Sequence, residues 1–335
     1  MSKSIDLNNK TVVISRTDSI GDVVLTLPMC GWLKKTYPDC KIIFLGRSYT
    51  RPILEAYPHI DEIHAWDEIE SLPVQARVEA IKAWEATVFI HVFPDKEIAK
   101  VVKKAKVPFR IGTSHRSYHL LTCNIKPNFT RKGADEHESQ LNFQLLKSYG
   151  VKELPSLEEI IELQKDFKPT VEITEEIRQS ISPNQKKVVL HAKSKGSAKE
   201  WSLDNFEVLA KELAQRDYQV FFTGTKQEGA AIRGKIPTHR NIFDVTGQMD
   251  LRAFIAFLQK MDGIVACSTG PLHIAASLGV KAIGLYPTQR PMHPGRWQPI
   301  GENVTVLVNK SQGTKKEQHE TKELNIDVAE VLGQF

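Results

Sequence analysis

The sequence lacks several features that would identify its function directly. No apolar run approaches the ~20 residues needed to cross a bilayer, and the polar N-terminus has no signal-peptide core. No CxxC pair occurs among the four cysteines, which predicts reduced thiols, no metal site and no disulfide framework. No GxGxxG sequence follows the first predicted strand, and the lysine-rich loop near residue 195 lacks Walker A spacing. The chain is therefore expected in the cytoplasm, without a dinucleotide fingerprint or a P-loop.

The composition is that of an ordinary globular protein with little charge imbalance. The 335 residues are 41% hydrophobic and 25% charged, which is enough chain for two domains of common size. The formal net charge of +5 is compatible with an acidic partner or an anionic membrane surface and requires neither. We expect no nucleic-acid partner.

Apolar, strand-like runs alternate with amphipathic helical stretches along the chain, which predicts an α/β fold with parallel sheets. The strands predicted in the first half are Thr11–Ser15, Lys41–Leu45, Glu62–Ala65, Thr87–His91 and Phe109–Ile111. Those predicted in the second half are Val188–His191, Gln219–Thr223, Ile242–Val245, Gly263–Cys267 and Ala282–Tyr286. A polar segment around Pro169 separates the halves and is the predicted linker.

This rhythm predicts domains at residues 1–165 and 170–322. A polar, lysine-rich segment at 309–322 then precedes a short C-terminal helix within 323–335, which could pack back on the first domain. Two similar α/β domains predict a ligand site in a central cleft between them, at the carboxyl ends of the parallel strands.

The most informative segment runs from Ser268 to Gly279. The buried strand before it opens directly into a helix with Thr269 or Gly270 at the cap, Pro271 in the first turn and Gly279 just past the end. Such a junction aims unpaired backbone N–H groups and the positive end of the helix dipole at one point. We therefore predict a phosphate or diphosphate site there.

A second strand end carries two carboxylates in the loop Arg16-Thr-Asp-Ser-Ile-Gly-Asp22. One interpretation is structural: Asp18 or Ser19 caps the next helix, beginning near Val23, and Asp22 favours its dipole. The other makes Asp22 a general base, because a carboxylate in a cleft can take a proton from an attacking hydroxyl. The residues alone leave both open.

Three further candidate residues follow strands of the second half. Ser194 lies with several lysines, including Lys199, in a loop that could hold a diphosphate or could be an ordinary basic surface loop. Glu228 could accept from ribose hydroxyls or could be a first-turn glutamate. Met249 could pack on a nucleobase, although methionine near a helix start is more often core.

A basic cluster in the first half suits a phosphorylated or carboxylated acceptor. It contains Arg110, His115 and Arg116, although basic surface loops are common. His273 lies on an apolar helix and fits a core histidine better than a catalyst.

Three segments, in this order, resemble glycosyltransferase family 9, the lipopolysaccharide heptosyltransferases. They are Asp18-Ser-Ile-Gly-Asp-Val-Val-Leu-Thr-Leu-Pro28, Leu190-His-Ala with Lys199-Glu-Trp201, and Thr269-Gly-Pro-Leu-His-Ile-Ala-Ala276. The resemblance covers nearly the whole chain. It implies a GT-B fold, with two Rossmann-like domains facing a cleft, and an inverting reaction without a metal or separate cofactor.

The resemblance also implies roles for individual residues. Asp22 matches the catalytic base, and Lys199 matches a lysine on the donor phosphates. The remaining donor contacts it implies are Ser194 near the phosphate hydroxyls, Glu228 at the ribose, Met249 near adenine, Thr269 and Gly270 at the diphosphate, and the neighbouring Ser268 and His273. The acceptor side would include Asp18, Arg110, His115 and Arg116.

One departure concerns the donor sugar, because Ser268 stands where many members have an aspartate that holds heptose hydroxyls. The expected function is transfer of a heptose or related sugar, from ADP-heptose or another nucleotide sugar, to a lipopolysaccharide core or other envelope glycolipid. The acidic glycolipid acceptor implies a peripheral approach to the inner leaflet. The alternatives are a sugar-nucleotide epimerase or hydrolase, a non-catalytic nucleotide-sugar-binding protein and, less well supported, a dinucleotide dehydrogenase.

Overall fold

A computed structural model describes residues 6–309 and 323–335. The chain divides into two compact units, Met1–Asp166 and Phe167–Phe335, and the division falls at the predicted polar linker. All four cysteines are free and buried.

The first unit is built on a five-stranded parallel sheet. Its strands are β1 (Thr11–Ser15), β2 (Lys41–Gly46), β3 (Glu62–Ala65), β4 (Val88–His91) and β5 (Phe109–Ile111), in the spatial order β3-β2-β1-β4-β5. Its helices are α1 (Ile20–Val24), α2 (Leu27–Thr36), α3 (Arg51–Glu55), α4 (Trp66–Ile69), α5 (Val74–Ala83), α6 (Lys96–Lys104), α7 (Ser117–Thr122), α8 (Glu138–Phe143) and α9 (Leu157–Gln164). Short 3-10 helices cover Ser48–Thr50 and Gln144–Tyr149.

The second unit repeats this plan with six strands in its main sheet. These are β6 (Lys187–His191), β8 (Gln219–Phe222), β9 (Ile242–Asp244), β10 (Gly263–Cys267), β11 (Lys281–Tyr286) and β12 (Val304–Val308), in the order β12-β11-β10-β6-β8-β9. A separate pair joins β7 (Glu200–Trp201) to β13 (Glu323–Leu324). The helices are α10 (Glu175–Ser180), α11 (Leu203–Gln215), α12 (Lys226–Ile232), α13 (Leu251–Gln259), α14 (Gly270–Ser277), α15 (Pro294–Trp297) and α16 (Val328–Leu332), with a 3-10 turn at Arg233–Lys235.

The central strands of both sheets are apolar on both faces. Strand β4 is buried along its whole length, and so is β10. Parallel sheets are covered by helices on both sides, so their strands read as continuous hydrophobic runs. This explains why the sequence pattern found them: β1, β3, β5 and β10 coincide with the predicted segments, and the other predicted strands differ by one residue at an end.

The strand orders fix where each unit can bind a ligand. In the first sheet the order reverses between β1 and β4, and in the second between β6 and β10. Loops leaving the carboxyl ends of strands at such a switch point diverge and leave a crevice. The loop before α1 and the loop before α14 both leave these strands, so the two segments singled out in the sequence lie at the two switch points.

Several predicted boundaries are corrected. The helix after β1 begins at Ile20, not Val23, and a second helix follows with Pro28 in its first turn. Strands β7, β12 and β13 are additional to the predicted set. The final helix begins at Val328 and packs on α11 within the second unit, where Val331 and Leu332 join its apolar core. Of the predicted polar segment 309–322, all but Asn309 lies outside the described residues. Over the described parts of the chain, no helix combines the length and apolarity needed to span a bilayer.

Candidate active site

The β1–α1 loop is organised by the buried guanidinium of Arg16. Its Nε donates to Asp18 Oδ1 at 2.7 Å, and its Nη2 contacts Asp22 Oδ1. Its Nη1 donates to Glu138 Oε1 at 3.0 Å. One cation therefore holds both loop aspartates and ties them to α8. We call this group (Arg16, Asp18, Asp22, Glu138) the Arg16 cluster.

Burial and charge act in opposite directions within the Arg16 cluster. Burial alone would lower the pKa of Arg16, but the Asp18, Asp22 and Glu138 carboxylates outweigh it and raise that pKa. Burial dominates at Asp18 and raises its pKa from the ordinary 3.8 to about 6, although Arg16 opposes the shift. The loop thus contains a permanent cation and an aspartate that is protonated more readily than usual.

Asp22 lies in the first turn of α1 with both carboxylate oxygens engaged. Oδ1 faces Arg16, and Oδ2 accepts from Ser19 Oγ at 2.5 Å. Its side chain is 16% exposed. Each carboxylate oxygen has two lone-pair directions, so a held carboxylate can still accept a proton. Ser19 is the N-cap residue of α1 but makes no side-chain bond to the helix backbone, so its hydroxyl positions Asp22 instead of capping.

A second layer supports the cluster from α8. Arg131 Nε donates to Glu138 Oε1 at 2.8 Å, and Arg131 Nη2 donates to Asn142 Oδ1 at the same distance. Asn142 Nδ2 reaches back to Leu25 O at 3.2 Å. Sequence reasoning missed these residues, because Glu138 meets Arg16 across 122 positions. Glu138 is wholly buried, and a buried carboxylate requires a cationic partner, but the sequence alone does not show this burial.

The predicted acceptor residues have different environments. Arg110 donates from Nε to Thr122 O at 2.8 Å and from Nη1 to Val107 O, so its guanidinium stabilises main-chain turns. His115 is exposed and its Nε2 is 2.8 Å from Asn128 Oδ1. Arg116 is exposed at the N-cap of α7. The structure therefore keeps His115 and Arg116 at the surface and gives Arg110 an internal structural contact.

In the second unit, the loop after β6 is organised around Glu200. This carboxylate pairs with Lys193 and accepts from Ser194 N at 2.8 Å and Ser194 Oγ at 2.9 Å. Lys193 and Ser194 outweigh burial and lower the pKa of Glu200. Ser194 and Lys193 therefore shape the loop. Partial burial lowers the pKa of the Lys199 ammonium, whose side chain is half-buried.

The α14 N-terminus has the predicted geometry. Thr269 is the N-cap with extended backbone, Pro271 lies in the first turn, and Gly279 follows the helix with φ +75°. Thr269 Oγ1 is buried, and no hydrogen-bond partner for it occurs in the described residues. A helix start with an unused buried hydroxyl and unpaired N–H groups is suited to an anion.

Two neighbours of this turn face inward. The Ser268 side chain is hydrogen-bonded to the hydroxyl of buried Tyr286, whose own pKa is raised by burial. His273 is 3% exposed within α14, which agrees with the interpretation of a core histidine.

One carboxylate oxygen of Glu228 caps helix α12, and the other is available for a ligand. Its Oε2 accepts from Thr225 N at 2.7 Å and Thr225 Oγ1 at 2.8 Å, while Glu228 N donates to Thr225 Oγ1 at 3.3 Å. This is a capping box at the start of α12, which agrees with the interpretation of Glu228 as a first-turn glutamate. Oε1 makes no hydrogen bond in the described residues and is available for a ligand hydroxyl. Met249 is half-buried in the turn before α13.

His191 is the last residue of β6, and it lies next to the residue that follows the neighbouring strand β8. His191 Nδ1 lies 3.0 Å from Thr223 Oγ1, and burial lowers the pKa of His191 to about 4. It is therefore neutral at physiological pH. No group of three or more side chains that could bind a metal occurs in the described ranges.

Known proteins of one family are similar to this chain. The family model of glycosyltransferase family 9 (heptosyltransferase) matches residues 79–326. A Haemophilus influenzae protein described only as a glycosyltransferase is 27% identical over 304 residues, covering 87% of this chain and 86% of that protein. The lipopolysaccharide core heptosyltransferase OpsX of the same organism is 22% identical, covering 90% and 86%.

A solved structure confirms the fold class. An E. coli ADP-heptose LPS heptosyltransferase II is 18% identical, with a TM-score of 0.75 over 97% of both chains. The predicted α/β, GT-B fold with parallel sheets is therefore confirmed.

Proposed function

Because this chain belongs to glycosyltransferase family 9 (heptosyltransferase) and is a glycosyltransferase, we propose that it transfers a heptose from ADP-heptose to a lipopolysaccharide core or a related envelope glycolipid, with inversion and without a metal. The observation that carries this proposal is the Arg16 cluster, which holds Asp22 at the switch point of the first sheet. Relatives named as lipopolysaccharide heptosyltransferases support the donor and acceptor classes.

Asp22 is the general base in this proposal. The acceptor hydroxyl attacks the anomeric carbon, its proton passes to the Asp22 carboxylate, and the bond from that carbon to the diphosphate oxygen breaks. The electron pair leaves with the nucleoside diphosphate. Arg16 and Ser19 hold the carboxylate in one orientation, which reduces the entropy lost when the acceptor arrives.

The second unit stabilises the departing diphosphate. The N-terminus of α14, with the Thr269 hydroxyl and the Gly270 N–H, faces the developing negative charge, and Lys199 supplies a cation. The free Oε1 of Glu228 accepts from the ribose, and Met249 contacts the adenine. Ser268 donates or accepts one hydrogen bond at the sugar, and its contact with Tyr286 orients its hydroxyl.

An acidic acceptor fits the charge distribution of the first unit. Residues 98–134 contain nine lysines and arginines and no aspartate or glutamate, although the whole chain has a net charge of only +5. His115 and Arg116 lie on the surface of this stretch. A local excess of one charge attracts an oppositely charged substrate and speeds its association.

The same stretch supports contact with an anionic membrane surface, where a glycolipid acceptor would be found. Leu120 and Leu121 on α7 are 56% and 75% exposed. Exposed leucines beside cations are suited to an interface with anionic lipids. Changing both leucines to serine should weaken sedimentation with anionic vesicles, whereas Val208→Ser, an exposed apolar position of the second unit, should not. Equal binding by all three proteins would remove this part of the proposal.

The decisive experiment combines nucleotide binding with product analysis. ADP and ADP-heptose should bind in preference to UDP, GDP and CMP and their sugars, and transfer should persist in EDTA. Asp22→Asn should lower kcat by about 10²- to 10⁴-fold, the usual contribution of a general base, and leave ADP affinity unchanged. Asp39→Asn, an exposed carboxylate of the same unit, is the matched control. Near-normal turnover in the Asp22→Asn enzyme would refute the assignment of the base.

A further inference from the structure

A polar cavity of about 340 Å³ lies in the first unit, apart from the Arg16 cluster. It is formed by an extended segment, residues 125–128, and the 3-10 helix Gln144–Tyr149. Its lining residues are Ile125, Lys126, Pro127, Asn128, Gln144, Lys147 and Ser148. The volume is within the range of small-ligand sites, about 300–1,000 Å³. We call it the Lys126–Lys147 pocket.

The side chains that line this pocket offer several hydrogen-bond donors to a ligand. Two ammonium groups line it and no carboxylate does. Lys126 Nζ makes one bond, to Cys123 O at 3.2 Å, and within the described residues Lys147 makes none. Asn128 Oδ1 is occupied by His115 and Ser114, which leaves its NH₂ group for a ligand. Such a set of donors matches an anionic oxygen group.

Both walls of the pocket are fixed before any ligand binds. The extended wall is held by Gly112 N donating to Ile125 O at 3.2 Å and Ser114 N donating to Pro127 O at 3.1 Å. The helical wall is held by Tyr37 Oη, which donates to Tyr149 O at 2.7 Å. The site is therefore preorganised, and the protein backbone loses little conformational entropy when a ligand binds.

Two short chain segments link the pocket to residues that support the Arg16 cluster. Asn128 precedes Arg131 by three residues, so their Cα atoms are at most about 11 Å apart. Gln144 follows Asn142 by two residues, or at most about 7 Å. Arg131 and Asn142 bond to each other and support Glu138 of the Arg16 cluster.

We propose that the Lys126–Lys147 pocket binds an anionic substituent, phosphate or carboxylate, of the acceptor glycan and thereby raises the affinity of the enzyme for its acceptor. That the bound molecule is a glycan acceptor rests on the proposed function. That the pocket binds an anion rests on the pocket residues alone. Because the two lysines are exposed, binding should weaken with rising salt.

The first test is direct binding of inorganic phosphate to the full chain. Backbone amide signals of Asn128 and Ser148 should shift saturably during an NMR titration of the native protein. The double variant Lys126→Gln/Lys147→Gln should require about tenfold more phosphate, while the charge-matched Lys35→Gln/Lys152→Gln, with both lysines exposed elsewhere in the unit, should behave as native. Unresponsive native signals would overturn the inference, whatever the enzyme transfers.

The second test is steady-state kinetics with three forms of the acceptor: intact, phosphatase-treated and carboxyl-reduced. In the pocket variant, KM for the intact acceptor should rise about tenfold, with kcat and donor KM unchanged. The form that lost its anchoring group should show the same KM in native and variant enzymes, which identifies phosphate or carboxylate. An unchanged acceptor KM overturns the assignment, and if vesicle binding falls instead, the occupant is a lipid headgroup. Absence of transfer by the native enzyme refutes the proposed function, and the phosphate titration still decides the pocket.

Discussion

The raised pKa of Asp18 makes the stability of this protein depend on pH in an unusual direction. Most native aspartates have lowered pKa values and stabilise the fold above their titration range. Asp18 changes from 3.8 to about 6 on folding, so between these values the folded state binds more protons than the unfolded chain. The free energy of unfolding therefore falls as pH rises through this window. Below about pH 4 the contribution is fully present, and above about pH 7 it is lost.

The size of this effect follows from the shift. About two pKa units correspond to about 3 kcal/mol. Because the Asp18 side chain is 21% exposed, solvent screening reduces the expected effect to about 2 kcal/mol. Asp18→Asn removes the titration but keeps the side-chain shape, and Arg16 retains Asp22 and Glu138 as partners.

Urea unfolding at a series of pH values measures this prediction. The free energy of unfolding of Asp18→Asn minus that of the native protein should increase by about 2 kcal/mol between pH 4 and pH 7.5. A constant offset from the lost carboxylate contact does not affect this comparison, since only the slope is used. Asp39→Asn should give parallel curves. If the Asp18→Asn curve is also parallel to the native curve, the burial argument for Asp18 is wrong.

The remaining predictions concern stability and can be measured by urea unfolding at pH 7. Glu138→Gln should cost about 3–5 kcal/mol, because it removes a wholly buried carboxylate from two guanidinium partners. An effect below 1 kcal/mol would contradict the buried ion cluster. Gly247→Ala should cost more than the ~1–2 kcal/mol of left-handed strain, since its Cβ would lie 2.9 Å from Lys226 Cα, whereas Gly279→Ala, also left-handed but in open space, should show the strain alone. Thr225→Ala should cost about 1 kcal/mol through loss of the α12 capping box, and an unchanged midpoint would refute that role.

The fold was largely predictable because its signals are local. Strands such as β10 are buried runs of five apolar residues, and the helix start at Thr269 follows from cap, proline and glycine positions within twelve residues. Strands β7 and β13 could not be predicted, because each has two residues and their pairing joins Trp201 to Leu324. The contacts of a two-residue strand depend on tertiary packing and leave no period in the sequence.

The sequence indicates where the candidate groups lie along the chain and says less about their contacts. Asp22 and Thr269 were identified from strand ends, but the partner that orients Asp22 is Arg16, whose own anchor is Glu138. Lys193 is one of the lysines in the loop after β6, and its pairing with Glu200 could not be inferred from the sequence. Charge pairing across a loop requires coordinates, since the sequence gives the charges and not their distances.

The pairing of β7 with β13 also has a consequence for synthesis of the chain. Trp201 Nε1 donates to Ile326 O, 125 residues further along, and both side chains join one apolar cluster. At about 5–20 residues per second, the ribosome needs roughly 6–25 seconds to make that interval. During this time the loop from Lys193 to Glu200 exists without its downstream anchor. The loop proposed to meet the donor diphosphate therefore acquires its support late, after the rest of the nascent second unit has been translated.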